Sequence, residues 1–173
     1  MRVYLDETQS PAGMLAFAVD EAGALVRVQF AEGDYGSEIE QELEREGFEV
    51  SRDPEKTAEV GEQLAEYAAG GRRTFDVSLA FVGSEWQKAV WDALIRIPYG
   101  ETRSYGEIAA MVGRPKAARA VGRANSTNRI PLVVPCHRVI GANGTLTGFA
   151  GGLHLKTRLL DHERRVLATA NEV

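Results

Sequence analysis

The sequence of 173 residues has one cysteine, Cys136, and three histidines, His137, His154 and His162, all in its last third. A single cysteine excludes an intramolecular disulfide, and this small set excludes a cysteine-rich structural zinc site. No apolar run approaches the roughly 20 residues that a membrane helix needs, so no membrane partner is expected. The first ten residues carry Asp6 and Glu7 and lack the basic, apolar, small-residue order of a secretory signal. A reduced, cytoplasmic compartment is therefore expected. Repeats and low-complexity tracts are absent. Apolar residues make up 44% and charged residues 26%, close to globular averages, which argues against wholesale disorder.

The net charge of −5 argues at first against nucleic acid, but it averages two unlike halves. Met1 to Val82 carry 7 Lys/Arg against 18 Asp/Glu, whereas Gly83 to Val173 carry 13 against 7. Arg96, Arg103, Arg114, Lys116, Arg119, Arg123, Arg129 and Arg138 are opposed within their span only by Glu101 and Glu107. Phosphate binding needs a basic face rather than a basic protein, so this half is a candidate nucleic-acid surface. Mutual attraction of acidic and basic halves is the plainer alternative.

The acidic half reads as mixed. Met14 to Val19 and Ala24 to Phe30 are short strand-like runs around Asp20-Glu21-Ala22-Gly23, which suggests a hairpin. Ser37 to Glu46 is acidic and poorly amphipathic, as in a surface helix. Pro54 to Ala69 predicts a helix with Pro54 in its first turn and Gly70-Gly71 ending it. Thr74 to Val82 fits a strand or an extended connector.

The basic half reads as mainly helical. Ser84 with Gln87 makes a capping-box pattern, followed by an apolar stripe of Trp86, Val90, Trp91, Leu94 and Ile95. Ser104 with Glu107 repeats the cap before Ile108, Ala109, Met111 and Val112. Gly113-Arg114-Pro115 breaks that helix, and Lys116 to Asn125 predicts another. Two short helices around a glycine turn are a helix-turn-helix candidate, although many helical hairpins bind nothing. The second helix is rich in small residues, which would allow close approach to a surface or close packing on another helix. Arg119 and Arg123 favour the former.

Asn128 to Val139 reads N-R-I-P-L-V-V-P-C-H-R-V. Leu132 to Val134 head inward, and Pro135 stops them before Cys136. A lone cysteine is usually an inert buried hydrophobe. A nucleophilic one needs help, because a thiol of pKa ~8.5 is only a few per cent ionised at neutral pH. His137 and Arg138 supply a base and a positive charge, with a water able to bridge sulfur and imidazole. Such a histidine wants an acid on its other nitrogen, and Glu163 is one candidate.

Pro135 to Val139, P-C-H-R-V, resembles the active-site signature of the O6-alkylguanine-DNA alkyltransferases, the methylated-DNA–protein-cysteine methyltransferases. The resemblance continues in order along the chain. It includes Tyr105 in S-Y-G-E-I-A, the turn and recognition helix at Arg114 to Gly122, and Asn128. It extends through the substrate loop Gly148 to Leu153 and the helix segment Leu159 to Glu163. The acidic half resembles the family's variable N-terminal domain in length and hairpin pattern only.

The resemblance implies an α+β protein: residues 1–82 form a small α/β domain with an antiparallel sheet. Residues 83–173 form a mainly helical, winged-helix-like domain with the helix-turn-helix. It implies transfer of an alkyl group from O6-alkylguanine, with O4-alkylthymine left open, to Cys136 in a single turnover. No cofactor and no metal are implied; some members hold zinc in the N-terminal domain, but no Cys or His precedes Cys136 here. The implied partner is double-stranded DNA bearing O6-alkylguanine, met by a monomer able to assemble cooperatively on DNA.

By the same resemblance His137 deprotonates Cys136 through a water, Glu163 holds His137, and Asn128 ties the helix-turn-helix to the active-site segment. Tyr105 crowds the 3′ phosphate and donates to the departing base. Ala117, Ala118, Ala120 and Gly122 allow close minor-groove approach, with Arg123 beside them, and Arg119 fills the space left by the rotated nucleotide. Val139, Phe149, Ala150 and Gly151 line the base pocket, Ala150 standing where many relatives have serine. Arg138 is expected to form a structural ion pair or cap rather than a catalytic contact. A DNA-binding sensor without chemistry and a cysteine hydrolase are the alternatives; lesion-dependent alkylation of Cys136 separates the first, and turnover on an ester or peptide the second.

Overall fold

The computed structural model describes residues 1–31, 35–148 and 152–171. The chain divides into two compact units, Met1–Ala80 and Phe81–Val173.

The first unit is a four-stranded sheet with two helices. Its strands are β1 (Arg2–Ser10), β2 (Gly13–Asp20), β3 (Leu25–Phe30) and β4 (Glu49–Ser51), ordered β3-β2-β1-β4. The three long strands are antiparallel, and β4 adds a short parallel edge to β1. The expected hairpin is β2–β3: Asp20 Oδ1 accepts from the backbone N–H groups of Ala22 and Ala24, and Gly23 takes the left-handed φ of +83°. Neither β1 nor β4 is expected from sequence. In β1 only Val3 and Leu5 face the core before the strand turns polar, so its alternation is short.

Leu15 to Val19 of β2 are all buried because both faces of this central strand are covered. On one face Ala16 and Ala18 pack with Val3, Leu5, Val26, Ile39 and Leu43. Ile39 and Leu43 belong to α1 (Tyr35–Arg45), so the expectation of a poorly amphipathic surface helix fails. Two apolar residues four apart are enough to bury one narrow stripe of an otherwise acidic helix. On the other face α2 (Pro54–Ala68) comes close to β2, since a Cβ on Gly61 would lie 3.2 Å from the Phe17 ring. Asp53 caps α2, and the Thr57 hydroxyl donates to Asp6 Oδ2 at 2.6 Å. The 74–82 segment is an extended connector with a single bridge, Leu25 to Leu79.

The second unit contains α3 (Glu85–Ile95), β5 (Arg103–Ser104), α4 (Tyr105–Met111), α5 (Ala118–Ser126), a 3-10 turn (Cys136–Arg138), β6 (Val139–Ile140) and α6 (Leu153–Ala170). Both predicted capping boxes form, Ser84 with Gln87 and Ser104 with Glu107. The α3 stripe is narrower than expected: Val90, Trp91 and Leu94 are buried, Trp86 is half-buried, and Ile95 is 43% exposed. Ile95 lies about 100° round the helix from Leu94, and the buried Ile97 beyond the helix end takes its place. Helix α5 begins at Ala118 rather than Lys116, because Arg114 to Ala117 close a turn after the break. Trp86 Nε1 donates to Ala120 O at 3.3 Å and Trp91 Nε1 to Ala124 O at 2.9 Å, fixing α3 on α5. Strands β5 and β6 pair in parallel, Arg103 opposite Val139 and Ser104 opposite Ile140. The start of α4 thus sits beside the segment that leaves Cys136.

If α1 is a core helix, Leu43→Ala should lower the unfolding free energy by about 2–5 kcal/mol, while Glu44→Ala should change it by less than ~0.5. Equal, small shifts of the urea midpoint would contradict the packing of α1.

Candidate active site

The segment leading to Cys136 is shaped by one side chain. Asn128 Nδ2 donates to Val134 O at 2.9 Å, and Asn128 Oδ1 accepts from Ile130 N at 2.9 Å. The amide thus staples both ends of a tight apolar loop in which Leu132 adopts φ of +75°, a costly conformation for a branched residue. Pro135 then admits the 3-10 turn that holds Cys136, His137 and Arg138, all buried. Cys136 N donates to Val134 O at 2.8 Å.

Glu163 on α6 collects this turn. Its carboxylate oxygens lie 2.7 Å from His137 Nε2 and 2.8 Å from Arg138 Nε, and accept from Gly100 N at 2.9 Å. Arg138 Nη2 adds a bond at 3.1 Å, and its Nη1 donates to Ile97 O at 2.8 Å. Arg138 is thus the structural ion pair expected, although its partner is the same carboxylate that meets the histidine. Gly100 cannot be replaced without movement: its φ is +78°, and a Cβ there would stand 2.1 Å from Leu167 Cδ1. Because Nε2 faces a carboxylate, the proton belongs on Nε2 and Nδ1 carries the lone pair. His137 Nδ1 is buried and has no hydrogen-bond partner among the described residues.

Electrostatics follow from burial. Desolvation pushes the Cys136 thiol up to about 11, opposed by an Asn128 hydrogen bond and the charge of Lys156. Burial likewise lowers His137, offset in part by Glu163, so the imidazole is neutral at neutral pH. Burial alone would raise Glu163, but hydrogen bonds from His137 and Arg138, with the charge of the guanidinium, outweigh it and hold the carboxyl well below the usual range. The arrangement therefore holds a protonated thiol beside a neutral base.

Tyr105 opens α4, and Thr147 Oγ1 donates to its hydroxyl at 2.9 Å. Gly122 faces the Tyr105 ring, 3.8 Å from where a Cβ would be. Ala117, Ala118 and Ala120 are half-buried, whereas Arg119 and Arg123 are exposed on or beside α5. Val139 is buried, with its carbonyl accepting from Lys156 Nζ. Phe149, Ala150 and Gly151 lie outside the described residues. Sequence reasoning missed Lys156 and Gly100. A lysine among Leu155, Leu159 and Leu160 on one helix face was a legible sign of a buried ammonium; Gly100 gave no sign beyond its turn.

Comparison with known proteins gives the family. The profile described as 6-O-methylguanine DNA methyltransferase, DNA binding domain, matches residues 85–165. A methylated-DNA–protein-cysteine methyltransferase of Methanosarcina acetivorans is 51% identical over 162 residues, covering 93% of this chain and 98% of the relative. The chain belongs to the methylated-DNA–protein-cysteine methyltransferases. The constitutive methyltransferase of Bacillus subtilis is 45% identical over 162 residues, covering 93% of this chain and 95% of that one. The crystal structure of Mycobacterium tuberculosis OGT in complex with DNA is 41% identical. It matches with a TM-score of 0.80, covering 96% of this chain and 94% of that chain. The mixed α+β fold agrees with this membership, as does a reaction that repairs DNA by moving methyl to a protein cysteine. Among the described residues no helix is long and apolar enough to cross a membrane.

In this methyltransferase Glu163 should report on acid stability. Its folded-state pKa is depressed from the ordinary 4.5, so its contribution is complete above that pH and lost as pH falls below it. Glu163→Gln should cost about 3–5 kcal/mol at neutral pH, as Arg138 loses its counter-charge. The gap between parent and variant should narrow under acid. An unfolding difference that stays constant from neutral to about pH 3 would contradict the ionised, paired carboxylate.

Proposed function

We propose that the protein reverses O6-alkylguanine damage by moving the alkyl group to Cys136, once per molecule. The observation that carries this reading is that His137 Nδ1, in a buried turn that also holds the chain's only cysteine, has no hydrogen-bond partner among the described residues. A histidine whose Nε2–H is fixed on a carboxylate can accept a proton only at Nδ1. A water bridging Nδ1 and Sγ accepts the thiol proton and passes one to the imidazole. The charge created on His137 is met by Glu163.

The thiolate attacks the alkyl carbon in line with the bond to O6. The S–C bond forms, the C–O6 bond breaks, and guanine leaves with the electron pair, which a proton from Tyr105 can neutralise. A thioether has no leaving tendency, and none of the described residues beside Cys136 offers a route to cleave it. One turnover follows. A buried thiol of raised pKa stays protonated until this relay acts, which protects it from indiscriminate alkylation.

The alkyl carbon lies inside the duplex, so the nucleotide must rotate into the pocket. Arg119 and Arg123, exposed on α5, suit that step: Arg119 fills the vacated stack and Arg123 joins the phosphate contacts. The half-buried Ala117, Ala118 and Ala120 with Gly122 let the backbone come close. Tyr105 acts on the same nucleotide; the pairing of Ser104 before it with Ile140 supports that reading. Cys136 and Val139 backbone groups, with the loop of Phe149, Ala150 and Gly151, read the guanine edge. Asn128 holds the acceptor loop. The protein works on double-stranded DNA as a monomer in the cytoplasm, without a metal or cofactor. O4-alkylthymine is the second substrate to compare.

Mass spectrometry after incubation with O6-methylguanine duplex should find one methyl group on Cys136 and a plateau near one equivalent per protein molecule. The Cys136→Ala variant should keep DNA binding and gain no mass. Turnover well beyond one equivalent, or methyl elsewhere, would overturn the assignment.

A further inference from the structure

Lys156 lies on α6 two turns before Glu163 and is wholly buried. An ammonium is rarely taken out of water unless strong acceptors meet it. Two do: Lys156 Nζ donates to Val139 O and, at 2.9 Å, to Thr147 O. These carbonyls mark the two ends of the loop excursion that follows the acceptor turn. The thioether of methionine could fill the same space but could bridge neither carbonyl.

Each end leads to Tyr105 or to Cys136. Val139 closes the 3-10 turn through its N–H bond to Cys136 O, and it pairs with Arg103 just before the cap of α4. Thr147 Oγ1 donates to the Tyr105 hydroxyl. One ammonium therefore links the strand leaving the sulfur to the residue that holds the tyrosine. Its charge also favours the thiolate at Cys136. A carbonyl has two lone pairs, so Val139 O keeps one for a donor on the base.

We propose that Lys156 and Thr147 form a positioning pair that holds the Tyr105 hydroxyl at a fixed spacing from Cys136. The inference rests on the reading above, in which Tyr105 acts on the lesion nucleotide. Neither residue touches the reacting atoms. Small displacements of a reacting group can cost up to about a hundredfold in rate, which is the scale on which such a clamp acts.

Single-turnover transfer from O6-methylguanine duplex tests it in the full chain. The series comprises the parent, Tyr105→Phe, Thr147→Val, Lys156→Met, and each of the latter two combined with Tyr105→Phe. Thr147→Val should slow transfer by about threefold or more, and Lys156→Met by about tenfold or more, with both effects shrinking in the Tyr105→Phe background. A merely structural role would leave the effects multiplying independently, and that result overturns the pair. If Lys156→Met does not fold, the Thr147→Val cycle decides alone. A folded Lys156→Met within twofold of the parent also overturns it. A parent that takes no methyl on Cys136 is a different failure: it removes the functional reading before the pair is tested. A Tyr105→Phe rate equal to the parent removes the tyrosine's role and this inference with it.

Discussion

The carboxylate of Glu163 is the interaction on which this site depends. It is wholly buried, and it is tolerated there because His137, Arg138 and the Gly100 amide surround it with donors. Remove those donors and burial would protonate it. With them it remains an anion that fixes the imidazole tautomer, so that Nδ1 is the bare nitrogen. The geometry of the acceptor thus follows from the need to satisfy one buried charge. Gly100 and Arg138, which have no contact with a substrate in this mechanism, belong to the same logic.

A second constraint comes from the short β5–β6 pairing. Two residue pairs fix Arg103 and Ser104, just before Tyr105, beside Val139 and Ile140. The start of α4 is therefore tied to the strand that leaves the turn holding the sulfur. Asn128 does comparable work from the other side, stapling the loop that strained Leu132 would otherwise relax. Site precision here is built from backbone pairings and buried hydrogen bonds rather than from bulk packing.

Much of this was legible in residues. The capping boxes at Ser84 and Ser104 marked two helix starts correctly, because cap chemistry is local. The P-C-H-R-V segment singled out the turn, and the ordered matches around it named Glu163, which spacing alone could not choose. What escaped were features set by tertiary contact. Strand β1 shows too little alternation to be recognised before β2 covers it. Helix α1 hides its two core residues among acids, and Ile95 loses its place to Ile97. Lys156 was overlooked because a lysine is ordinarily solvent-facing; only the convergence of two carbonyls explains its burial. The Gly100 donor to Glu163 was invisible for the same reason, since it lies 63 positions away in the chain.

The central claim is that His137 waits as a neutral base, with its proton on Nε2 and Nδ1 bare. Nitrogen-15 spectra of His137 in reduced, unalkylated protein test it directly. At neutral pH the proton should sit on Nε2 and Nδ1 should be bare. A proton on Nδ1, or an imidazolium at that pH, would contradict the claim.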